Sequence, residues 1–402
     1  MIRSSTFLAV FVAVASPAFA HHGPGTFELN KTVTYENARL TRIELINPHS
    51  WLYFETTEAD GKVAKHRCEM RSAHTLRRSG WEPDLFKVGA KMTVTASPDR
   101  ADVASCYLQT IVFDNGNRMD RYGQYVKAGS TVTEVRGQVK PPDVTKRPAR
   151  RPSGEPNISG DWAPEQVVMA DPRGVGGGLV PLSRIGGAPP APRAGGGAPA
   201  GGAPGGGGGG GRRAGGVTPA GPRLYNGTEL TPLGEQEAAA FKREDNPRFR
   251  CETTSIIFDW TFDGPVNRIT QNKDNIVIQY GQMGLKRTVY MNMKQHPANV
   301  KPSRAGHSIG HWEGDVLVVD TVGFLPGVLN QPVKHSDKLH VVERFTLDPK
   351  TMRLTRAYEA DDPVYMKGKY SGQDVIEVAD APYAPDHCKE QGFIDYSKQV
   401  SK

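Results

Sequence analysis

Residues 306–310 spell Gly-His-Ser-Ile-Gly, which is the G-x-S-x-G pattern that surrounds the nucleophile of many hydrolases. In those enzymes an apolar strand delivers the serine onto a tight turn, and a helix follows the turn. Here a polar segment, residues 301–304, precedes the pattern, and His-Trp-Glu-Gly at residues 311–314 follows it. Ser308 therefore lacks the flanking elements that would present it as a nucleophile.

His307 is a second candidate for chemistry, as an acid or base beside a carboxylate. Its i, i+4 spacing from His311 would suit one metal ion on a helix, but on a strand the two residues lie about 13 Å apart. If residues 313–314 form a two-residue hairpin turn, His307 faces Asp320, whereas a three-residue turn places Ser308 there. A structural hydrogen bond is the alternative role for the pair. The candidate catalytic residues for a reaction on a small molecule are His307, Ser308, Asp320, His335 and Glu343.

The start of the chain has the three parts of a secretory signal peptide. Arg3 gives a short positive region, residues 7–15 are apolar, and Ala-Phe-Ala at residues 18–20 fits an A-x-A cleavage site. We therefore predict a signal peptide over residues 1–20 and a mature chain that begins at His21. No later run approaches the roughly 18 apolar residues of a membrane-spanning helix, so the product is expected in the periplasm or outside the cell.

Cleavage before His21 would free an α-amino group beside an imidazole. Together with His22 and His49, this terminus offers several nitrogen donors of the kind that suit Cu(II). The arrangement is similar to the histidine brace of copper monooxygenases and copper carriers. The predicted metal ligands are therefore His21, His22 and His49, and a solvated terminus without metal is the alternative.

Composition divides the 402-residue chain into two folded parts and a linker. Of the 45 glycines, 21 fall between residues 174 and 221, where too little apolar area is available to offset the entropy of ordering. The formal net charge is +7, and residues 140–223 hold 11 Lys and Arg against 5 Asp and Glu. The linker, residues 126–227, is thus expected to be disordered, basic, and either solvated or in contact with an anionic cell-envelope component. Because the folded parts are near neutral, nucleic-acid binding is not expected.

Four cysteines follow the predicted cleavage site, and none of them forms a C-x-x-C pair. In an exported chain this pattern favours two disulfides over a metal cluster. Pairing within each folded part is the simplest of the three possible connectivities. We expect Cys68 to pair with Cys106 and Cys251 to pair with Cys388.

Residues 21–125 form the first predicted domain, and most of them alternate apolar and polar side chains with period two. The pattern predicts strands at residues 33–46, 51–55 and 62–70, a helix at 72–79, and strands at 91–96 and 106–113. This element order is that of an OB-fold barrel, in which the third and fifth strands are neighbours. These two strands hold Cys68 and Cys106, so the fold prediction and the disulfide prediction support each other.

Residues 228–395 form the second predicted domain. After a helix at residues 231–242, the sequence turns to short strands separated by Asp-Gly, Glu-Gly-Asp and Asp-Pro-Lys-Thr turns. These features predict an antiparallel β-barrel or sandwich, so the chain as a whole is mainly all-β. Residues 158–162 are similar to the Gly-x-Trp opening of lipocalin-like barrels. We therefore expect residues 157–171 to dock on this domain across the linker.

Two segments resemble uncharacterised secreted bacterial proteins. The His-His start of the mature chain, the Asn-Pro-His turn at residues 47–49 and Arg-Ser-Gly-Trp at residues 78–81 resemble a DUF family with a small OB-like domain. Residues 306–321 resemble a β-rich module of secreted hypothetical proteins. Neither resemblance implies an activity.

Three classes of function follow from these features. The leading hypothesis is an exported two-domain binding or scaffold protein, with copper at its mature terminus and a small-molecule pocket in its second domain. The rival hypothesis is an enzyme whose acid–base residues lie in the C-terminal barrel. The third is a purely structural envelope protein, and the sequence sets no oligomeric state.

If the mature terminus binds copper, the site depends on the free α-amino group of His21. The processed chain should bind one Cu(II) tightly, and a form with one extra residue before His21 should lose that binding. Calorimetric titration and electron paramagnetic resonance of both forms measure the difference. Equal binding by the two forms, or binding by neither, would contradict a terminal copper site.

Overall fold

The computed structural model describes residues 27–81, 85–100, 102–122, 124–130, 133–135, 143–165, 167–169, 179–181, 224–242 and 245–390. The predicted signal peptide, His21, His22 and most of the predicted linker lie outside these ranges. The described residues form two closed β-structures, and the second contains strands from both sides of the glycine-rich segment. No helix among them combines the length and the apolarity needed to span a membrane.

The first eight strands form one sheet, with a short helix, α1 (Ala73–Arg78), between the third and fourth strands. The strands are β1 (Val33–Glu44), β2 (Trp51–Thr57), β3 (Val63–Glu69), β4 (Lys91–Pro98), β5 (Ser105–Phe113), β6 (Arg118–Asp120), β7 (Gln124–Val126) and β8 (Thr133–Val135). Their order is β3-β2-β1-β4-β5-β6-β7-β8, and a parallel pairing of β3 with β5 closes a five-stranded barrel. This is the topology of an OB fold, so the predicted fold of this part is confirmed.

β1 pairs with two neighbours, and irregularities in its backbone let it bend between them. Its register shifts between Tyr35 and Ala38 against β4, and between Leu40 and Arg42 against β2. Asn37 lies in the first shift with φ 52°, a left-handed conformation that asparagine adopts more easily than most residues. Bulges of this kind curve a strand strongly, which is what a small closed barrel requires.

The remaining elements belong to the part of the chain between residues 144 and 378. Its strands are β9 (Gly160–Ala163), β10 (Val167–Met169), β11 (Leu179–Pro181), β12 (Asn267–Gln271), β13 (Asn275–Gln279), β14 (Lys286–Tyr290), β15 (His307–Glu313), β16 (Val316–Val322), β17 (Gly327–Asn330), β18 (Val333–His335), β19 (His340–Leu347), β20 (Leu354–Asp361) and β21 (Tyr370–Val378). The helix α2 spans Pro232–Ala240, and 3₁₀ turns cover Val144–Lys146, Pro247–Arg250 and Phe258–Trp260.

Nine of these strands form a closed barrel in the order β12-β13-β14-β15-β16-β19-β20-β21-β9, while β10 pairs with β11 and β17 with β18. Neighbouring barrel strands are antiparallel except β14 and β15, which run parallel. A parallel pair needs a long crossover connection. That connection is the loop of residues 291–306, and the predicted antiparallel barrel is confirmed apart from this pair.

β9 closes the barrel, although it lies in the range that composition predicts to be linker. It pairs with β12 on one side and with β21 on the other. Trp162 is fully buried, its Nε1 donates to Ile158 O at 2.8 Å, and the guanidinium of Arg147 lies over its ring. The Gly-x-Trp segment therefore supplies a barrel strand, as the sequence suggests. β8, β10 and β11 also lie in the predicted linker range, so part of that range is folded.

Both disulfides pair as predicted. Cys68 on β3 and Cys106 on β5 are opposite each other in the parallel pair and are fully buried. Cys251 pairs with Cys388, 137 residues later. The second disulfide fixes the segment that follows the barrel, and the backbone of Cys388 forms a bridge with Asn47 of the N-terminal domain.

The two domains are in contact at one end of the C-terminal barrel. Arg78, the last residue of α1, donates to the Asp380 carboxylate at 3.0 Å, to Gly264 O at 2.9 Å and to Pro164 O at 3.0 Å. These three groups follow β21, precede β12 and follow β9, respectively. Thus a single buried side chain of the first domain joins the strands at which the barrel closes.

An ion network crosses the barrel interior. Arg287 on β14 binds both carboxylate oxygens of Glu343 on β19, at 2.5 and 2.9 Å, and Arg356 on β20 donates to the same carboxylate at 3.2 Å. Arg356 also donates to Asp374 on β21 at 2.6 Å. The side chains of Arg287, Glu343 and Arg356 are at most 1 % exposed. Four strands are therefore linked inside the barrel by paired charges.

Glu343→Gln removes the charge that two buried guanidinium groups share. Because it leaves the buried Arg287 without its counter-ion, while Arg356 keeps Asp374, we expect the free energy of unfolding to fall by about 3–5 kcal/mol. Chemical denaturation measures this loss. The matched control is Glu313→Gln, which removes a half-exposed pair with Arg344 and should cost less than about 1 kcal/mol. Equal effects of the two substitutions would contradict the role given to the network.

Candidate functional site

The hairpin of β15 and β16 sets where the predicted residues lie. His307 is opposite Val322, Ser308 is opposite Thr321, and Ile309 is opposite Asp320. The turn residues are 314–315, so neither the two-residue turn at residues 313–314 nor the three-residue turn considered from the sequence forms. Gly314 has φ 59°, which suits the first position of such a turn. Compared with the two-residue turn at residues 313–314, each residue of β15 is opposite a residue two positions further along β16. A shift of two residues leaves every side chain on the face that the sequence pattern assigns.

The barrel wall separates the predicted residues into two groups. Ser308 and Glu343 are buried in the interior, whereas Asp320 alternates with buried Val319 and Thr321 and lies on the outer face. His307 lies on the same outer face, next to Ser308 in sequence. The structure thus brings His307 and Asp320 to one surface and keeps Ser308 and Glu343 away from it.

His296 joins His307 to Asp320. It lies in the crossover loop of residues 291–306, and its Nδ1 is 2.8 Å from His307 Nδ1. Its Nε2 is 2.9 Å from Asp320 Oδ1. Since one imidazole contacts both groups, His307 is connected to the carboxylate without touching it.

A second imidazole binds the other oxygen of the same carboxylate. His340 Nε2 is 3.0 Å from Asp320 Oδ2, and His340 Nδ1 is 3.5 Å from Asp361 Oδ1. His340 and Asp361 are opposite each other on β19 and β20. We call the set of His296, His307, Asp320, His340 and Asp361 the imidazole–carboxylate cluster. The ring of Tyr290 stacks on His307, with 5.2 Å between the ring centroids.

Two glycines allow the backbone to pass close enough to form the cluster. Gly306 has φ 67°, and a Cβ at this position would lie 2.7 Å from the Thr321 side chain. Gly323 has φ 72°, and a Cβ there would lie 2.4 Å from the Val300 side chain. Val300 belongs to the crossover loop, so the absence of a side chain at Gly323 lets this loop pack directly against the end of β16.

The electrostatic environment gives the members of the cluster different roles. Burial lowers the pKa of His307, and the neighbouring His296 lowers it further. The hydrogen bond from His340, together with that from His296, outweighs burial and lowers the pKa of the Asp320 carboxyl. The same bond with Asp320 raises the pKa of His340. At neutral pH the cluster therefore contains a neutral His307 and an ionised Asp320.

The other predicted catalytic residues have partners elsewhere. The hydroxyl of Ser308 is 2.9 Å from that of Thr321, inside the barrel. His335 is 5 % exposed at the end of β18, where its Nδ1 is 3.0 Å from Ser336 O. The carboxylate of Glu343 forms ion pairs with the buried side chains of Arg287 and Arg356. These three residues do not join the cluster, and their contacts hold the barrel and its β17–β18 hairpin together.

Three members of the cluster, His296, His340 and Asp361, are not among the catalytic residues predicted from the sequence. His340 and Asp361 have a sequence signal, because a hairpin through the Asp-Pro-Lys-Thr turn places them opposite each other. His296 has no comparable signal, since it lies in a loop without a motif. Its position depends on the parallel pairing of β14 with β15, which no local pattern predicts.

A segment in the N-terminal part of the chain has a match among known families. Residues 9–106 match DUF6152, a family of unknown function. This match confirms the resemblance of the OB-like domain to an uncharacterised DUF family, and it ends before the C-terminal barrel begins. Comparison with curated proteins and with solved structures found no match.

The DUF6152 match includes the predicted copper ligands. His49 Nδ1 is 2.7 Å from the buried carboxylate of Glu69, and its ring meets the edge of Phe249 in the other domain. His21 and His22 lie outside the described residues, so copper binding remains a prediction from the sequence. In the part of the chain that the structure describes, no group of three or more His, Cys, Asp or Glu has the geometry to hold a metal ion.

Asp320→Asn should change stability in a pH-dependent way. Because the pKa of His340 is raised in the folded state, its pair with Asp320 stabilises the protein fully below the unfolded value of about 6.5, and this stabilisation is lost as the pH rises through the folded value. The ionised Asp320 required for the pair persists throughout, because its own pKa is lowered. The substitution should therefore cost more stability at mildly acidic pH than at alkaline pH.

Denaturation at a series of pH values measures this difference, and NMR titration of His340 should show a lower pKa in the variant. Asp315→Asn is the matched control, because Asp315 pairs with Arg150 and with no histidine. Its cost should not change over the same pH range. A cost of Asp320→Asn that is independent of pH would contradict the assigned pairing.

Proposed function

We propose that the imidazole–carboxylate cluster is an acid–base site, in which His307 takes a proton from a small molecule bound at the outer face of the C-terminal barrel. The observation that carries the proposal is the series of contacts from His307 through His296 to Asp320, at 2.8 and 2.9 Å. Each contact is of hydrogen-bond length, and a base oriented by a second group is the usual arrangement for proton transfer.

The hydrogen bonds assign the protons in this series. An ionised Asp320 can only accept, so His296 donates to it from Nε2. In this proposal the one ring proton of His296 lies on Nε2, so its Nδ1 accepts and His307 donates to it from its own Nδ1. This tautomer leaves the Nε2 lone pair of His307 available to accept a proton. The lowered pKa of His307 keeps that lone pair free at neutral pH.

Asp320 and its neighbours stabilise the charge that proton transfer creates. When His307 Nε2 takes up a proton, the imidazolium is bound through His296 to a carboxylate whose pKa is low. His296 and Asp320 are thus positioning residues for His307. His340 holds the second oxygen of Asp320, so the carboxylate keeps its orientation during the transfer.

Tyr290 forms one wall of the proposed substrate site. Its side chain is 38 % exposed, and its ring stacks on that of His307. Together the two rings offer an aromatic surface beside the free imidazole nitrogen. A small molecule with an apolar or aromatic body and a weakly acidic proton fits this arrangement best.

The organisation of the chain supports an exported protein in which the DUF6152-like domain accompanies the barrel. Two disulfides are typical of proteins in oxidising compartments. The predicted signal peptide gives the same location. In this proposal the first domain is a binding or scaffold module, and the acid–base site belongs to the second domain.

The test uses 5-nitrobenzisoxazole, a chromogenic compound whose isoxazole ring opens, with cleavage of the N–O bond, when a base removes the proton from C3. The folded protein should accelerate this reaction above free imidazole at equal concentration, with a rate that rises through a pKa below the ordinary histidine value. His307→Gln should abolish the acceleration. His296→Gln and Asp320→Asn should lower the rate and shift its pH profile, because they act through His307.

His311→Gln is the matched control, since His311 lies on the same strand and pairs with exposed Glu313. It should leave the rate and the pH profile unchanged. A rate no higher than that of free imidazole, or equal loss in the His311 and His307 variants, would contradict the proposal. Loss of the activity on chelation and its recovery with Zn²⁺ would also contradict it, because the cluster would then act through a metal.

A further inference from the structure

Two arginines of the N-terminal domain converge on one aromatic ring. Arg71 follows β3, and Arg121 follows β6. Their guanidinium carbons lie 5.1 Å and 5.6 Å from the centroid of the Tyr122 ring, and that of Arg121 lies 3.4 Å from the Tyr107 ring centroid. Two like charges are therefore held close together against tyrosine rings.

Neither guanidinium has a counter-ion among the described residues. Arg121 is 7 % exposed, its Nε is buried without a hydrogen-bond partner, and its Nη1 reaches only Leu108 O at 3.5 Å. The Nη1 of Arg71 is also buried without a partner. A buried cation without a counter-ion generally lowers the stability of the folded state by several kcal/mol. Two such cations side by side therefore need an explanation.

No carboxylate near the two arginines forms an ion pair with them in the described part of the chain. Asp120 acts on Arg121 only at a distance. Its Oδ1 accepts the backbone N–H groups of Tyr122 and Gln124, at 2.9 and 2.8 Å, and its Oδ2 is buried without a hydrogen-bond partner. Glu69 is 2.7 Å from His49, and Asp263, which acts on Arg71 only at a distance, is 4.0 Å from Arg248. These carboxylates therefore leave the two buried guanidinium donors without a hydrogen bond.

The two guanidinium groups also disturb each other. Burial lowers the pKa of Arg71, and the adjacent Arg121 adds to this effect. Burial raises the pKa of Tyr107 to about 12, so the ring against Arg121 stays neutral and gives no negative charge. The arrangement is costly without an anion and favourable with one.

We propose that Arg71 and Arg121 bind an oxyanion, the carboxylate or phosphate group of a small molecule, beside the ring of Tyr122. Guanidinium groups match the planar geometry of carboxylate and the tetrahedral oxygens of phosphate through paired N–H donors. The buried donors Arg71 Nη1 and Arg121 Nε are the groups that the anion would satisfy. The tyrosine rings would carry the uncharged body of the ligand.

The site is independent of the imidazole–carboxylate cluster, because it is formed wholly by the other domain. It also differs from the predicted copper site, whose donors are histidines. Its charge is local, which is compatible with a domain that is near neutral overall. The expected ligand is therefore one small anion and not a polyanion such as nucleic acid.

The test measures binding of inorganic phosphate and of acetate to the full chain by calorimetry and by thermal melting in a buffer that lacks oxyanions. At least one of the two anions should bind and raise the melting temperature. Phosphate alone would identify a phosphate-bearing ligand, and acetate alone would identify a carboxylate. Binding by neither anion would overturn the proposal.

Arg71→Met should remove the binding and, in the anion-free buffer, should raise the melting temperature, because it removes an unpaired cation. Arg71→Lys keeps the charge and the fold but loses the planar fork, so it should bind at least about tenfold more weakly. Arg42→Met is the matched control, since Arg42 also lies over a tyrosine ring but pairs with Glu44. Equal loss of binding in the Arg42 variant would overturn the assigned site.

Discussion

The buried pair of Arg287 and Glu343 fixes which side of the barrel wall each neighbouring side chain faces. Glu343 must point inward to meet Arg287, so His340 and the other residues of β19 with opposite parity point outward. β16 is held in register between β15 and β19, and the same alternation places Asp320 outside. The outer-face cluster therefore depends on a charge pair that lies inside the barrel and takes no part in its chemistry.

The cluster brings together five separate segments. The strands β15, β16, β19 and β20 supply His307, Asp320, His340 and Asp361 by regular pairing, and the crossover loop supplies His296. The crossover exists because β14 and β15 run parallel, and Gly306 lets the chain enter β15 without a clash. The crossover loop, which the parallel pairing requires, thus supplies the imidazole that contacts both His307 and Asp320.

Most of the architecture could be predicted from local patterns. Period-two alternation locates the strands, the strand-helix order gives the OB topology, and the position of Cys68 and Cys106 follows from that topology. The pairing of His307 and Asp320 on one face could be predicted for the same reason, even though the turn was misplaced by one residue. Because side chains alternate between the two faces of a strand, a register shift of two residues leaves each side chain on the same face. The predicted face was therefore right although the predicted register was not.

What could not be predicted depends on contacts distant in sequence. No local signal places His296 beside His307, because a loop has no period and the parallel pairing is decided by the whole barrel. The same holds for Ser308, whose motif suggests a nucleophile but whose hydroxyl meets Thr321 in the interior. Arg71 and Arg121 were missed too, since their 50-residue separation hides a shared contact with Tyr122.

The position of the proton on His307 distinguishes an acid–base site from a purely structural cluster. Chain labelled with ¹⁵N-histidine reports the protonation of each ring nitrogen by NMR, and His307→Gln identifies the signals of His307. At neutral pH we expect a proton on Nδ1 and a bare Nε2, since Asp320 orients His296 as a donor from its own Nε2. A proton on Nε2 with a bare Nδ1 would contradict the proposed site, because His307 could then accept no proton from a substrate at Nε2.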